Sequence, residues 1–304
     1  SAGESIAIFH AHGAESELDY ARAHGTLAQV AYRTGVAADG TMREHYQKAA
    51  DLFAEHHPHN KWRIEMVLGL SRAANLDGNL EEALQHAQEA IRLVESNAVE
   101  SDGIVRGSAY KTAGNALNWL GRNDEAEVLM KKAIAEYDHA GGPEHSFAIE
   151  GRRELGAFYG WVGRREEAKE LLTTAVAAQE RTKGVDDPEL TAPLRVELGR
   201  VLLMRGEYAA AEPQLLQALE AWGRAGSPTA GVTTNLAWIY TEQGRFKEAA
   251  TMLADAESEA EKAFGKGSWS HVTAINRNGS LHLVQGRFGE AEADFLRARA
   301  DARD

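Results

Sequence analysis

The stretch Gly244-Arg-Phe-Lys-Glu-Ala249 decides the fold, because close variants of it occur six times along the chain. The six copies begin at Gly78, Gly121, Gly163, Gly206, Gly244 and Gly286. Subtracting successive glycine numbers gives steps of 43, 42, 43, 38 and 42 residues. A recurring period in this range is typical of stacked-repeat proteins, in which each unit packs on its neighbours. Such proteins present extended surfaces, so the period favours a binding function.

The residues around Gly244 predict a pair of antiparallel helices. The apolar positions of the first helix (helix A) are Leu236, Ala237 and Tyr240, and those of the second (helix B) are Ala249, Leu253 and Ala256. Their spacing places each set on one helical face. Gly244 is expected to end helix A in a left-handed conformation, which glycine adopts without strain. Each glycine therefore separates a helix A from a helix B.

Longer stretches around these glycines resemble the tetratricopeptide repeat (TPR). The stretches are Asn235-Leu-Ala-Trp-Ile-Tyr-Thr-Glu-Gln-Gly-Arg-Phe-Lys-Glu-Ala249, Glu197-Leu-Gly-Arg-Val-Leu-Leu-Met-Arg-Gly-Glu-Tyr-Ala-Ala-Ala211 and Glu154-Leu-Gly-Ala-Phe-Tyr-Gly-Trp-Val-Gly163. The usual tetratricopeptide unit has about 34 residues, so units of about 42 leave room for roughly one extra turn in each helix. This length resembles the kinesin-light-chain type of repeat. The resemblance implies an all-α fold, a right-handed α-solenoid of about seven helix-turn-helix repeats.

The whole chain, residues 1–304, is predicted to form a single superhelix of such repeats. Residues 61–304 hold six regular repeats, and residues 17–60 hold a divergent first repeat with a small insertion. Residues 1–16, in which Glu4 to Ala11 is helix-like, are expected to be the end of a truncated or capping repeat. The 38-residue step predicts a tighter loop at Gly223–Pro228. Because solenoids need capped ends, we expect a domain of a longer protein, or ends covered by a partner or a second copy.

The composition narrows the classes of function. A formal net charge of −13 argues against nucleic-acid binding, which usually needs a basic surface. The chain has no cysteine, so disulfides and thiolate metal sites are excluded. Neither a signal peptide nor a membrane span is visible, and no cofactor motif was found, so the expected location is the cytoplasm. Richness in Ala, Gly and Arg suggests a bacterial source.

The resemblance implies that a peptide binds along the concave face, which helix A lines. Counting back 2, 3, 6, 10 and 13 residues from each turn glycine, and from Gly35 in the first repeat, gives the candidate groove positions. The candidate groove residues are Tyr32, Arg33, Arg72, Asn75, Lys111, Asn115, Asn118, Trp119, Arg153, Trp161, Arg200, Trp238 and Asn276. Five successive repeats each contribute one cation, which would pair with carboxylates of an acidic segment. The alternative is that these arginines and tryptophans only pack between repeats.

Two more specific kinds of site, a carboxylate clamp and a metal site, have only partial support in the sequence. The carboxylate clamp of chaperone-binding TPR domains is contradicted by Glu154 and Glu197, which would repel a bound carboxylate. The histidines His56, His57 and His59 are a weak candidate for metal binding, but neither a cysteine nor a nearby carboxylate completes a set of four ligands. The alternative is that they belong to an ordinary loop after a helix B. No catalytic residues are predicted.

The leading hypothesis is a non-enzymatic interaction scaffold that binds a peptide or protein segment, including acidic ones, in the groove. The alternative is a ligand- or peptide-sensing regulatory domain of a larger bacterial signalling or transcription protein. An enzyme is the least favoured class, because no convergent acid/base pair is visible. The expected partner is a protein or peptide rather than nucleic acid or membrane, and uncapped ends would permit self-association.

Overall fold

The computed structural model describes residues 17–34, 41–96, 101–183 and 188–302. These residues form fourteen α-helices and no strand. The helices are α1 (Glu17–Thr34), α2 (Thr41–His56), α3 (Trp62–Leu76), α4 (Leu80–Glu95), α5 (Gly103–Trp119), α6 (Asn123–Gly141), α7 (Ser146–Trp161), α8 (Arg165–Lys183), α9 (Pro188–Met204), α10 (Tyr208–Ala225), α11 (Ala230–Glu242), α12 (Phe246–Phe264), α13 (Trp269–Val284) and α14 (Phe288–Asp301). They make seven consecutive pairs, in which the odd-numbered helices correspond to helix A. The all-α prediction and the predicted number of repeats are confirmed.

The turn between the two helices of a pair is set by the repeated glycine. Gly244 has φ +75°, in the left-handed region, and a Cβ added there would meet nothing within 4 Å. The next amide, that of Arg245, donates a hydrogen bond of 2.8 Å to the carbonyl of Tyr240. This bond satisfies one of the carbonyls that a helix end leaves without a partner. The predicted role of the glycine as a helix terminator is therefore confirmed.

Within a pair, small residues of helix A let helix B approach closely. A Cβ added at Gly199 of α9 would lie 2.7 Å from Cγ of Leu215 on α10. One repeat earlier, Gly156 of α7 would meet Cγ of Leu172 on α8 at 2.6 Å. Leu172 and Leu215 are fully buried, so the absent side chains are replaced by leucines of the partner helix. The apolar face predicted for helix B is confirmed, because Ala249, Leu253 and Ala256 are buried.

The chain divides into two compact units, Ser1–Gly151 and Arg152–Asp304, and the boundary falls inside α7. The core of the first unit is centred on Tyr46 and Phe53 of α2, which are fully buried. These side chains share one cluster with Ala28 of α1 and Met66 of α3. In the second unit, Ala230, Ala256, Ala260 and Ala274 form an alanine cluster between α11, α12 and α13. Small side chains of this kind allow close helix packing.

The 38-residue step between Gly206 and Gly244 has a different origin from the one predicted. The loop before α11 was expected to be tighter, but it has four residues, 226–229, as many as residues 265–268 before α13. The shortening lies in α11, which has 13 residues against 17 in α9 and 16 in α13. Residues 1–16, with the predicted helix from Glu4 to Ala11, lie outside the described residues. None of the described helices combines the length and apolar character needed to span a lipid bilayer.

Candidate functional site: an indole-lined pocket in the second unit

The second unit contains a concave pocket of about 500 Å³ whose walls carry four tryptophans. The pocket is lined by Trp161, Val196, Arg200, Met204, Trp222, Pro228, Gly231, Val232, Thr234, Asn235, Trp238, Phe264, Trp269, Ser270, Thr273 and Arg277. Volume and composition fit a binding site, because ligand pockets typically enclose about 300–1,000 Å³ and are mostly apolar with a few polar groups. None of the described residues that line it is an aspartate, glutamate, histidine or lysine.

Helical spacing places the lining side chains on one face. On α9, Val196, Arg200 and Met204 are four residues apart, so they stack along a single stripe. On α13, Trp269, Thr273 and Arg277 repeat the same spacing. The remaining walls come from α11 and from the ends of α7, α10 and α12. The pocket is therefore a product of helix A faces closed by the ends of neighbouring helices.

The beginning of α11 leaves the pocket open. Gly231, the second residue of α11, lines the pocket, and a Cβ added there would meet nothing within 4 Å. Its backbone lies outside the left-handed region that only glycine tolerates well. A side chain at position 231 would therefore be compatible with the helix and would extend into free space beside the pocket.

The two arginines of the pocket differ in their partners. Arg200 lies 5.1 Å from the centroid of the Trp161 ring and donates hydrogen bonds of 2.7 and 3.0 Å to Oε2 of Glu197. Its charge is thus already balanced within α9. Arg277 lies 3.6 Å from the centroid of the Trp238 ring, close enough for a cation–π contact.

Arg277 has no carboxylate within ion-pair distance among the described residues. Burial lowers the pKa of Arg277, while the more distant Glu242 carboxylate acts in the opposite direction. An arginine remains protonated in a protein regardless of such a shift. The pocket therefore holds a partly desolvated positive charge that lies against the Trp238 ring. The Glu242 carboxylate, which accepts a hydrogen bond of 3.3 Å from the Trp238 indole, acts on this charge from beyond ion-pair distance.

Two indoles lie at the margins of the pocket and are open to solvent. Trp161 is 66% exposed and Trp269 is 77% exposed. Large exposed apolar side chains beside a concavity are typical of interaction sites. The exposed aromatic surface therefore extends beyond the pocket itself.

Of the groove residues predicted from the sequence, Trp161, Arg200 and Trp238 come together in this pocket. Asn276 is exposed on α13 and does not line the pocket, whereas its neighbour Arg277 does. The sequence reasoning missed Asn235 and Arg277, which lie nine residues before Gly244 and Gly286. That position was not counted as a groove position, so including it would have found both. It also missed Trp222 and Trp269, because neither lies at a position that is counted back from a turn glycine.

The other predicted groove residues lie on helix A segments and do not line the pocket. Their places are Tyr32 and Arg33 on α1, Arg72 and Asn75 on α3, Lys111, Asn115, Asn118 and Trp119 on α5, and Arg153 on α7. The side chains of Tyr32 and Arg33 lie outside the described part. Arg72 and Lys111 interact with other groups, and Arg153 lies 4.0 Å from a carboxylate oxygen of Glu154. The cations predicted from the sequence are therefore engaged locally wherever their side chains are described.

The weak metal candidate does not form a cluster. His56 lies at the end of α2 with Nε2 3.6 Å from Glu55, and the ring of His57 faces Phe53 at 6.5 Å between centroids. Within the described ranges, no three histidine, aspartate or glutamate side chains are grouped so as to hold a metal ion. The arrangement of His56, His57 and His59 therefore provides no set of three ligands.

Consecutive helix pairs joined by left-handed glycine turns define the class of helical-repeat proteins. The sequence model described as tetratricopeptide repeat matches residues 147–224 and 190–262. The match covers residues 147–262, so this part of the chain is assigned to the tetratricopeptide-repeat family. No curated protein sequence matches the chain at a significant level.

Solved structures share the fold at low sequence identity. A tetratricopeptide repeat protein from Parabacteroides merdae ATCC 43184 is 15% identical, with a TM-score of 0.60 over 92% of this chain and 93% of that chain. The apo form of RapI is 11% identical, with a TM-score of 0.68 over 93% of this chain and 97% of that chain. Aspartyl phosphate phosphatase F from Bacillus subtilis is 13% identical, with a TM-score of 0.70 over 95% of this chain and 70% of that chain. At these identities the similarity is one of fold.

Proposed function

We propose that this protein is a non-enzymatic interaction module that binds a peptide or extended protein segment on the helix A face of its second unit. The observation that carries the proposal is the indole-lined pocket with exposed Trp161 and Trp269 at its margins. Large aromatic side chains supply binding area with few rotatable bonds and are enriched where binding energy concentrates. Tetratricopeptide proteins use extended concave surfaces of this kind for binding.

The chemistry of the lining supports binding rather than catalysis. A general acid or base must lie within hydrogen-bond reach of the group that reacts. The pocket is lined by indoles, aliphatic groups, hydroxyls, one amide and two arginines, none of which titrates near neutral pH. Such a surface can hold and orient a ligand, but it offers no side chain suited to proton transfer.

The extent of the exposed aromatic surface favours a segment over a small molecule. A compact ligand seated in the cavity of about 500 Å³ would cover only the parts of Trp161 and Trp269 that face the cavity. An extended chain that crosses the pocket would cover both rings and thereby bury additional apolar area.

The proposal is tested by selecting binders from a displayed library of random linear peptides on the full chain. We expect the selected peptides to lose about tenfold or more in affinity for a Trp161→Ala/Trp269→Ala double variant, because anchor residues at interfaces contribute on this scale. Phe288→Ala is the matched control, since Phe288 is 68% exposed and lies on α14 away from the pocket. Recovery of no specific peptide, or equal losses in both variants, would reject the proposed function.

A further inference from the structure

We infer that a second site, between the paired helices α9 and α10, binds the carboxylate of a small aliphatic monocarboxylic acid. The site is a cavity of about 210 Å³ lined by Thr191, Ala192, Arg195, Gln217, Glu220, Ala221 and Arg224. It shares no lining residue with the indole-lined pocket, so the inference is independent of the proposed function.

A fixed pair of positions connects the two helices of a repeat at the end far from the turn. One lies fifteen residues before the turn glycine and the other lies fifteen residues after it. Around Gly121 they are Arg106 and Glu136, and Nε of Arg106 donates a hydrogen bond of 2.9 Å to Oε2 of Glu136. In α13 and α14 they are His271 and Asp301, with Nδ1 of the histidine 3.9 Å from Oδ2 of the aspartate. These pairs therefore place a carboxylate of helix B beside a polar group of helix A.

The pair α11/α12 shows how a threonine uses this carboxylate. Thr229 lies fifteen residues before Gly244, and Glu259 lies fifteen residues after it. The Thr229 hydroxyl donates a hydrogen bond of 2.9 Å to Oε2 of Glu259, and the Thr229 amide donates one of 2.8 Å to Oε1. A threonine at this position therefore binds a carboxylate when helix B supplies one.

The pair α9/α10 keeps the threonine but lacks the carboxylate. Thr191 and Ala221 occupy the two positions around Gly206, and both line the cavity. Thr191 is 1% exposed, and its Oγ1 has no hydrogen-bond partner within the described part of the chain. A buried hydroxyl without a partner is unfavourable, so a group of this kind needs an explanation. A carboxylate from outside the chain would complete the arrangement that Thr229 makes with Glu259.

The floor of the cavity also offers a positive charge. Arg195 lies one helical turn after Thr191 on α9 and is 6% exposed. Its guanidinium donates hydrogen bonds to Oε1 of Glu180 and, at 2.7 Å, to Oε1 of Gln214. Because a guanidinium has five N–H donors, these two bonds leave donors for a further oxygen. Hydrogen bonds from such groups to a carboxylate are stronger than those between neutral groups.

The rim and the volume restrict the ligand. Gln217, Glu220 and Arg224 are exposed on α10 and form the rim. Glu220 and Arg224 carry opposite charges, so recognition of a carboxylate falls to the buried floor. The cavity is smaller than the roughly 300–1,000 Å³ of typical ligand pockets, and the methyl groups of Ala192 and Ala221 line it. A short aliphatic chain with one carboxylate fits these walls.

Saturation-transfer NMR on the full chain tests the inference, with propionate as the probe and propionamide as its neutral counterpart. We expect the wild type to bind propionate at least about tenfold more tightly than propionamide, because the amide lacks the charge. Thr191→Val removes the hydroxyl and should weaken propionate binding about tenfold. The melting temperature of Thr191→Val without ligand should equal or exceed that of the wild type, because the variant buries no unpartnered hydroxyl.

Ala221→Glu supplies the carboxylate from helix B itself. This variant should lose propionate binding and melt at a higher temperature than the wild type, whereas the same substitution in the Thr191→Val background should bring no increase. Ala225→Glu is the matched control, because position 225 is the exposed last residue of α10 and does not line the cavity. It adds the same charge and should leave propionate binding unchanged.

Three results would overturn the inference. They are no propionate binding to the wild type, which would leave water as the occupant, equal binding of propionate and propionamide, and propionate binding that Thr191→Val does not weaken. The comparison of the wild type with Thr191→Val decides the question even if Ala221→Glu does not fold. Each of these results leaves the proposed function of the indole-lined pocket untouched.

Discussion

At the scale of single residues, the neighbours of a side chain decide what it can do. Arg200 and Arg277 both contact an indole, yet only Arg200 has a carboxylate, Glu197, within ion-pair distance. Helical spacing already places Glu197 beside Arg200, whereas the contact between Arg277 and Trp238 joins two helices and is visible only in the fold.

Tyr110 on α5 is a structural example of the same dependence. Its hydroxyl donates a hydrogen bond of 2.9 Å to Oε1 of Glu95 at the end of α4. Burial, together with this bond, raises the pKa of Tyr110 from 10.0 to about 12. Because the neutral hydroxyl is the form that the fold favours, its stabilising effect is complete below about pH 10 and disappears as the pH rises toward 12.

A substitution tests this prediction. In the wild type, one tyrosine should ionise near pH 12, and Tyr110→Phe should remove that step from the tyrosinate absorbance curve while the other tyrosines titrate unchanged. The variant should also lose less stability than the wild type between pH 10 and 12, because it has no hydroxyl to ionise. A wild-type curve without a late-titrating tyrosine would contradict the predicted role of Glu95.

At the scale of helices, the closeness of each A/B pair depends on residues without side chains. Gly199 faces Leu215, and the two helices could not keep their separation with a larger residue at 199. Gly223 of α10 is also helical, but a Cβ there would meet nothing within 4 Å. Glycine is therefore required for helix packing at position 199 but not at position 223.

The pair of variants Gly199→Ala and Gly223→Ala tests this difference. We expect Gly199→Ala to lower the free energy of unfolding by about 1–3 kcal/mol, as overpacking of a filled core does. Gly223→Ala should raise it by about 0.4–1 kcal/mol, since alanine loses less backbone entropy on folding. Chemical denaturation followed by circular dichroism measures both changes, and equal shifts in one direction would contradict the packing argument.

At the scale of the whole molecule, contacts between helices are local. Among the described residues, helices that pack together are adjacent in the chain or separated by one helix. For example, α9 packs on α10, which follows it, and on α11, which comes after α10. Stability in such an array is approximately a sum of repeat and interface contributions. A perturbation should therefore weaken the repeat it touches and decline with distance along the array.

Hydrogen exchange of the Gly199→Ala variant tests this expectation within the second unit. Amides of α9 and α10 should lose the most protection, and those of α14 should keep nearly all of theirs, because α14 packs on α13 and not on α9. A uniform loss of protection across α8 to α14 would show instead that the unit opens as one cooperative block.

Helix types, bounds and pairing could be predicted because they depend on short-range patterns. Gly244 ends α11 in the expected left-handed conformation, and the buried face of α12 follows the predicted spacing. The binding site was only partly predictable. Trp161, Arg200 and Trp238 were found by counting from the turn glycines, whereas Trp222 and Trp269 lie on helix ends that this counting ignores. The shortening of α11 was expected in the loop, because a change in period does not reveal which segment has lost residues.

The sequence by itself determined that this protein is a stack of helix pairs, because a glycine turn and a helical stripe are read from residues close together in the chain. Only the tertiary structure decided which of those residues meet. The pocket brings together side chains as distant in sequence as Trp161 and Arg277. Their proximity depends on how successive helices pack rather than on any local pattern. The pairing of Arg200 with Glu197 follows from their spacing on α9, whereas the contact of Arg277 with Trp238 joins two helices and depends on how they pack.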